Sequence, residues 1–122
     1  MTKQAIIEET AAFYNSGNRG QTSIGYIYVN KYGNKCGVGR CMTDDGIAVF
    51  GGFGDDVIEL EKKVKDSYSG LDDILKEEYR GHSVDFWADI QGFHDNSENW
   101  DKEGISFRGL ASKAFLLEKY SS

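Results

Sequence analysis

Apolar residues recur every three or four positions over most of the chain, which is the spacing of helices with one buried face. A Ser, Thr or Asp stands at the start of most of these stretches, where its side chain can cap the first free N–H groups. Thr2, Ser83 and Ser106 are the clearest of these caps. The pattern predicts helices over about 2–14, 55–67, 71–79, 84–95 and 107–120.

The same spacing predicts which side of each helix is buried. In the first helix, Ile6, Thr10 and Phe13 are expected to face the core. The inward positions of the later helices are Val57, Leu60, Val64 and Tyr68, then Phe86, Ile90 and Phe93, and finally Leu110, Ala114, Leu117 and Tyr120.

Residues 24–29 are β-branched and aromatic and predict a strand, and a turn over 30–35 makes it part of a hairpin. The residues that follow are rich in glycine and cysteine. They fit either a second strand to Met42 or a short helix from near Cys36 to Gly46. The helix is favoured, with its glycines permitting close approach to a neighbouring element. The predicted fold is a mainly helical α+β single domain over 1–122, with a short antiparallel hairpin over about 24–36 packed on four to six helices.

Charge and composition exclude several classes of protein. The 122 residues carry 20 acidic and 14 basic side chains, a net charge of −6. Nucleic-acid binding depends on Lys and Arg, so no nucleic-acid partner is expected. No stretch approaches the roughly 20 apolar residues of a membrane span, so no membrane partner is expected either. The first residues lack the apolar core of a secretion signal, and the expected location is the cytoplasm.

The two cysteines, Cys36 and Cys41, stand five positions apart. On a helix or on a strand their side chains would diverge, so a disulfide between them is disfavoured. Together with His82 and His94 they match no structural-zinc spacing. We expect two reduced core thiols, no metal and no cofactor.

The segment Gly37 to Arg40 is a candidate anion site. Backbone N–H groups of a glycine loop can hold an anion, and Arg40 could clamp it. The Gly-x-Gly-x-x-Gly and Walker patterns are both absent from the segment. The alternative is structural: the glycines allow tight packing, and Arg40 pairs with a carboxylate.

A second group of candidate residues closes the helix over 84–95 and enters the loop after it. They are Trp87, Gln91, His94, Asp95, Asn99, Trp100 and Asp101. A histidine beside carboxylates could act as a general base, and the group could equally bind a ligand or partner. The alternative is a network that ends the helix, in which Trp100 packs over the junction of the helices at 84–95 and 107–120.

Two sequence blocks resemble those of a family of small uncharacterised proteins encoded by tailed phages. The first is NKCGVGRCM at 34–42, with Gly37 where the family has Ala. The second is DFWADIQGFHD at 85–95, followed by NWD at 99–101 and GIS at 104–106. The resemblance implies an origin, a viral accessory gene acting in a bacterial cytoplasm. It implies no catalytic residue.

We therefore expect a protein that acts without catalysis, binding and interfering with a host protein such as an antiviral-defence component. Seven Tyr, seven Phe and two Trp residues, together with the acidic charge, predict an aromatic surface patch ringed by acids. One alternative is a small-ligand or nucleotide-binding protein with a pocket joining Arg40 to the His94–Trp100 loop. Another is a small hydrolase using His94 and a carboxylate. The sequence leaves the oligomeric state open.

Overall fold

A computed structural model of the chain describes residues 1–15, 18 and 35–121. Within them, the helices are α1 (Lys3–Phe13), α2 (Asp44–Phe50), α3 (Val57–Val64), α4 (Val84–Asp95) and α5 (Phe107–Lys119). Two short strands, β1 (Trp100–Asp101) and β2 (Gly104–Ile105), form an antiparallel hairpin that pairs Trp100 with Ile105. The architecture is a small, mainly helical α+β domain, as predicted. The hairpin predicted over 24–36 lies almost wholly outside the described residues.

The predicted N-caps set the starts of the helices. The side chains of Thr2, Asp56, Ser83 and Ser106 each accept a hydrogen bond from the backbone N–H three residues later, at 2.9 to 3.2 Å. Each bond satisfies one of the N–H groups that a helix start leaves free. The predicted boundaries of α1, α4 and α5 are therefore correct to within one or two residues.

The helix predicted from Cys36 to Gly46 is wrong. Only Gly39–Cys41 forms a 3₁₀ turn, and the chain then extends at Met42. Thr43 caps a new helix by accepting the N–H of Gly46 at 3.0 Å. Asp44 and Asp45 begin α2 rather than end a helix, because acidic side chains suit the positive end of a helix dipole.

The single helix predicted over 71–79 is also wrong. Two 3₁₀ turns, Leu71–Ile74 and Glu77–Tyr79, flank an extended Leu75. Leu75 pairs with Met42 in an antiparallel bridge, flanked by hydrogen bonds of 2.9 Å from Thr43 N to Ile74 O and from Lys76 N to Cys41 O. This pairing between distant segments replaces the local bonds that would continue the helix.

The predicted inward faces of α3 and α4 are buried, except that Tyr68 beyond α3 is exposed. Tyr14, which directly follows α1, is buried, whereas Phe13, predicted to face the core, is half exposed. Half of the face predicted for α5 is correct, because Leu117 and Tyr120 are partly buried and pack against the core. Leu110 and Ala114 are exposed instead, whereas Gly109 and Leu116 are buried.

Gly109 explains the orientation of α5. A Cβ at this position would lie 2.3 Å from the carbonyl oxygen of Asn99 and 2.5 Å from the Ile105 side chain. The helix backbone therefore packs directly on the hairpin. The pattern of hydrophobic residues could not predict this contact, because glycine has no side chain.

Two glycine substitutions test this packing. Gly109→Ala should lower the free energy of unfolding by about 1–3 kcal/mol, the usual cost of overpacking. Gly92→Ala, on the exposed side of α4 with no atom within 4 Å of the added Cβ, is the matched control. It should instead raise stability by about 0.5–1 kcal/mol. Urea denaturation measures both, and equal effects of the two changes would contradict the close contact.

Candidate functional site

The structure gathers most of the candidate residues at the C-terminal end of α4. Gln91, His94, Asn99 and Trp100 are buried there, and the Asp95 side chain is largely covered. Asp101 is exposed on the hairpin. Trp87 is fully buried one turn earlier on α4, and its Nε1 has no hydrogen-bond partner among the described residues. Arg40 belongs to a separate ion pair with α1.

A chain of hydrogen bonds runs through the buried group. The Nδ1 atom of His94 lies 2.8 Å from Oδ1 of Asp95. Gln91 donates to the same oxygen at 3.0 Å and accepts the backbone N–H of Val38 at 3.2 Å. Gln91 therefore links the Cys36–Cys41 segment to α4, and Asp95 links Gln91 to the histidine.

Tyr14 completes this cluster from α1. Its ring lies edge-on to His94 at 4.7 Å and to Trp100 at 5.8 Å between centroids. Its hydroxyl lies 2.7 Å from the carbonyl of Cys36 and 2.8 Å from that of Lys35, and can donate to either. Burial raises the pKa of Tyr14 above its ordinary value. Sequence reasoning missed Tyr14, although its spacing from Ile7 and Ala11 places all three on one helical face.

Trp100 and Asn99 fix the turn that follows α4. The indole N–H of Trp100 donates to the carbonyl of His94 at 2.9 Å, and its ring packs 5.2 Å from Phe93. The Asn99 amide donates to the carbonyl of Phe93 at 2.9 Å and accepts from Ser112 on α5 at 3.1 Å. Trp100 is thus buried against α4 as predicted, but its other partner is Tyr14, whereas Phe107 is 89% exposed.

Gly37 brings its segment against α4. A Cβ there would lie 3.2 Å from Cβ of His94 and 3.3 Å from the carbonyl of Ile90. This is the close approach that the glycines of the segment predicted. It seats the Val38 N–H opposite Gln91.

The anion-binding groups of this segment are already used inside the protein. Four successive N–H groups, from Val38 to Cys41, donate to Gln91, to the Cys36 sulfur and to the carbonyls of Cys36 and Val38. Phosphate binding by a glycine loop needs such N–H groups to be free. The packing therefore favours the structural interpretation of the segment.

Arg40 pairs with a carboxylate, also as the structural interpretation required. Its guanidinium lies 2.6 Å from Glu9 and stacks over the rings of Phe13 and Tyr79 at 5.2 and 5.7 Å. Burial alone would raise the pKa of Glu9, but hydrogen bonds from Tyr79 and Arg40 lower it below its ordinary value. Arg40 therefore holds α1 to the Gly39–Cys41 turn.

Both cysteines are buried free thiols, as predicted. Burial raises the pKa of Cys36 and of Cys41 to about 12. Within the described ranges, no group of three or more His, Cys, Asp or Glu side chains is arranged to hold a metal.

Two open grooves lie on the surface, and the first of them borders the cluster at Asn99. One, of about 380 Å³, runs between α4 and α5 beside Phe93, Phe115 and Leu116. The other, of about 340 Å³, lies near His82, Leu71 and Val84. Neither is lined by Arg40 or His94, the two residues that the predicted ligand pocket had to join.

Comparisons of the chain with protein-family models, curated proteins and solved structures found no match. The resemblance to phage proteins thus stays a prediction that depends on the two sequence blocks. In the part of the chain that the structure describes, every helix is too short or too polar to cross a bilayer.

Replacing Trp100 tests whether the turn is structural. Trp100→Ala should cost about 3–5 kcal/mol of unfolding free energy, the range for a buried large aromatic. Trp100→Phe keeps most of the packing but loses the hydrogen bond to His94. It should lower the unfolding free energy less than Trp100→Ala does, and the lost bond should account for about 1 kcal/mol of that decrease. Chemical denaturation gives both values. A Trp100→Ala protein as stable as wild type would show that the indole does not support the fold.

The buried thiols predict a loss of stability at alkaline pH. Because the folded pKa values lie above the ordinary value, the unfolded chain loses thiol protons first, and stability falls as pH rises. Between pH 9 and 10, each thiol should contribute about 1 kcal/mol to that loss. Cys41→Ala should therefore show a decrease smaller by this amount, measured by urea denaturation under reducing conditions. An unchanged pH dependence would mean that the thiol is not protected.

Proposed function

We propose that this chain is a small accessory protein of phage origin that acts in the cytoplasm of a bacterial host. It binds a host protein and interferes with it without catalysing a reaction, and an antiviral-defence component is the candidate target. The observation that carries the proposal is an exposed surface on α2 and α3. It combines apolar side chains with aspartates and includes no basic side chain.

The candidate chemical groups support a binding function rather than catalysis. His94 is fully buried beside Asp95 and Tyr14, and a general base has to reach the proton that it removes. Arg40 is held by Glu9. These contacts use the polar groups that a hydrolase or a nucleotide-binding site would need.

The α2–α3 surface is defined here by Val49, Ile58 and Tyr68 together with Asp44, Asp45, Asp55 and Asp56. Its three apolar side chains are 63%, 43% and 47% exposed, respectively. The ring of Tyr68 lies 6.3 Å from that of Phe50, which joins the end of α2 to the turn after α3. This contact brings the exposed ring of Tyr68 to the end of α2 that bears Val49, and apolar side chains exposed together are typical of protein interaction sites.

The charges of this surface favour a basic partner. The segment from Thr43 to Tyr68 has seven carboxylates and three lysines, a net charge of −4. Lys62, Lys63 and Lys65 pair with Glu59, Asp66 and Glu61 in the same segment. The four aspartates at the starts of α2 and α3 are exposed. A second copy would place acids against acids, whereas a basic surface complements them.

Affinity purification of the tagged chain from host bacteria, followed by reconstitution with the purified target, tests the proposal. Val49→Lys removes an apolar contact and adds the wrong charge, so it should weaken target binding at least about tenfold. Ala12→Lys, which changes the net charge equally at an exposed position on α1, is the control and should bind as wild type does.

Two outcomes would overturn the proposal. One is that no host protein is bound by the wild-type chain above the level of an unrelated acidic protein. The other is equal binding by the two lysine variants, which would place the contact elsewhere. Thermal denaturation of both variants shows whether either change acts through the fold instead.

A further inference from the structure

The solvent side of α5 is apolar along most of its length. Phe107, Leu110 and Phe115 are 89%, 49% and 67% exposed, and the exposed Ala111 and Ala114 lie between them. These positions follow the spacing of a single helical face. The buried side of the helix is occupied instead by Gly109 and Leu116. The helix therefore has large apolar side chains on both sides, with Leu116 and Leu117 on the core and two phenylalanines and a leucine in water.

The charged residues beside this face have opposite signs at its two ends. Arg108 is in the first turn and Glu118 in the last, and both are exposed. They are separated along the helix by about 15 Å, from the 1.5 Å rise per residue. Lys113 and Lys119 are already paired with Glu8 and Asp89.

The exposed face of α5 is complementary to the same face of a second copy that runs antiparallel to it. A two-fold axis passing between residues 112 and 113 brings Leu110 opposite Phe115 of the second copy and Ala111 opposite Ala114. The same axis places Arg108 near Glu118, and symmetry repeats each contact. The two alanines at the centre permit a close approach of the helices, and the antiparallel arrangement aligns their dipoles favourably.

We propose that α5 packs antiparallel against α5 of a second copy of this chain, forming a two-fold dimer. The Arg108–Glu98 pair within each chain is exposed, so sharing Arg108 with Glu118 of the other copy costs little. One helix pair buries less area than the ~1,600 Å² of a standard interface, so we expect a weak dimer with a dissociation constant on the order of micromolar. The proposal does not depend on a host target, because α5 contributes no residue to the α2–α3 surface.

Sedimentation of the purified chain over a concentration series tests the dimer. The wild type should shift from 13.6 kDa to twice that mass as its concentration rises through the micromolar range. Phe115→Asp should remain monomeric at every concentration. Val49→Asp, which adds the same charge at an apolar position with similar exposure, is the control and should still dimerise.

A charge exchange tests the antiparallel arrangement. Arg108→Glu and Glu118→Arg should each weaken the dimer at least about tenfold, because each places like charges together twice. The double change Arg108→Glu with Glu118→Arg should restore it, and an equimolar mixture of the two single variants should form a heterodimer. A side-by-side parallel dimer would not be weakened by either single change.

The proposal is overturned by a wild-type chain that stays at 13.6 kDa throughout the series, or by a dimer that Phe115→Asp leaves intact. Circular dichroism of each variant separates loss of association from loss of the fold. Since these measurements use the purified chain alone, they give the same result whether or not the host target exists.

Discussion

The polar side chains buried at the C-terminal end of α4 set the conditions for much of the fold. A buried amide or imidazole without a hydrogen bond is costly, at about 1–3 kcal/mol for each group. Gln91 obtains its partners from Val38 and Asp95, and the carbonyl of His94 receives the indole of Trp100. The Cys36–Cys41 segment, which is distant in sequence, and the hairpin that follows α4 must therefore meet at one helix end. The hairpin and the Cys36–Cys41 segment are positioned by this requirement, and α1 joins them through the Tyr14 hydroxyl, which bonds to the carbonyl of Cys36.

The need of buried polar groups for hydrogen bonds also explains why residue types that are common in active sites do not form a reactive site here. Histidine, aspartate, glutamine and two cysteines lie close together in the sequence blocks, as they would in an enzyme. In the fold their polar atoms face one another and the backbone rather than solvent. Cys36, for example, accepts the N–H of Gly39 at 3.2 Å while its pKa is raised by burial. A thiol held in its protonated form is a poor nucleophile.

Sequence patterns predicted well what depends on near neighbours. The N-caps, the bounds of α4 and the inward faces of α3 and α4 follow from residues within one or two turns. Interactions between distant segments account for the errors. Leu75 pairs with Met42 instead of continuing a helix, and Gly109 packs on Asn99, which leaves Leu110 and Ala114 exposed.

The candidate site shows the same division between near and distant contacts. The helix-end network and the burial of Trp100 were among the expectations, because they involve residues close in sequence. The contribution of Tyr14 was not predicted, because Tyr14 and His94 are eighty residues apart in the sequence. Its position was nevertheless encoded in the spacing of α1. The sequence could have identified Tyr14 as buried, but not what it would touch.

Orientation and charge together decide what kind of partner each exposed face suits. Because α5 is held by a backbone contact at Gly109, its phenylalanines point outward, although its composition resembles that of a core helix. Its unlike charges stand at opposite ends, so a reversed copy matches them. The acidic segment over α2 and α3 carries −4 of the total −6, so two copies repel there and a basic surface is attracted. The distribution of charge thus supports our proposal of different partners for the two faces, a distinction that the net charge alone does not contain.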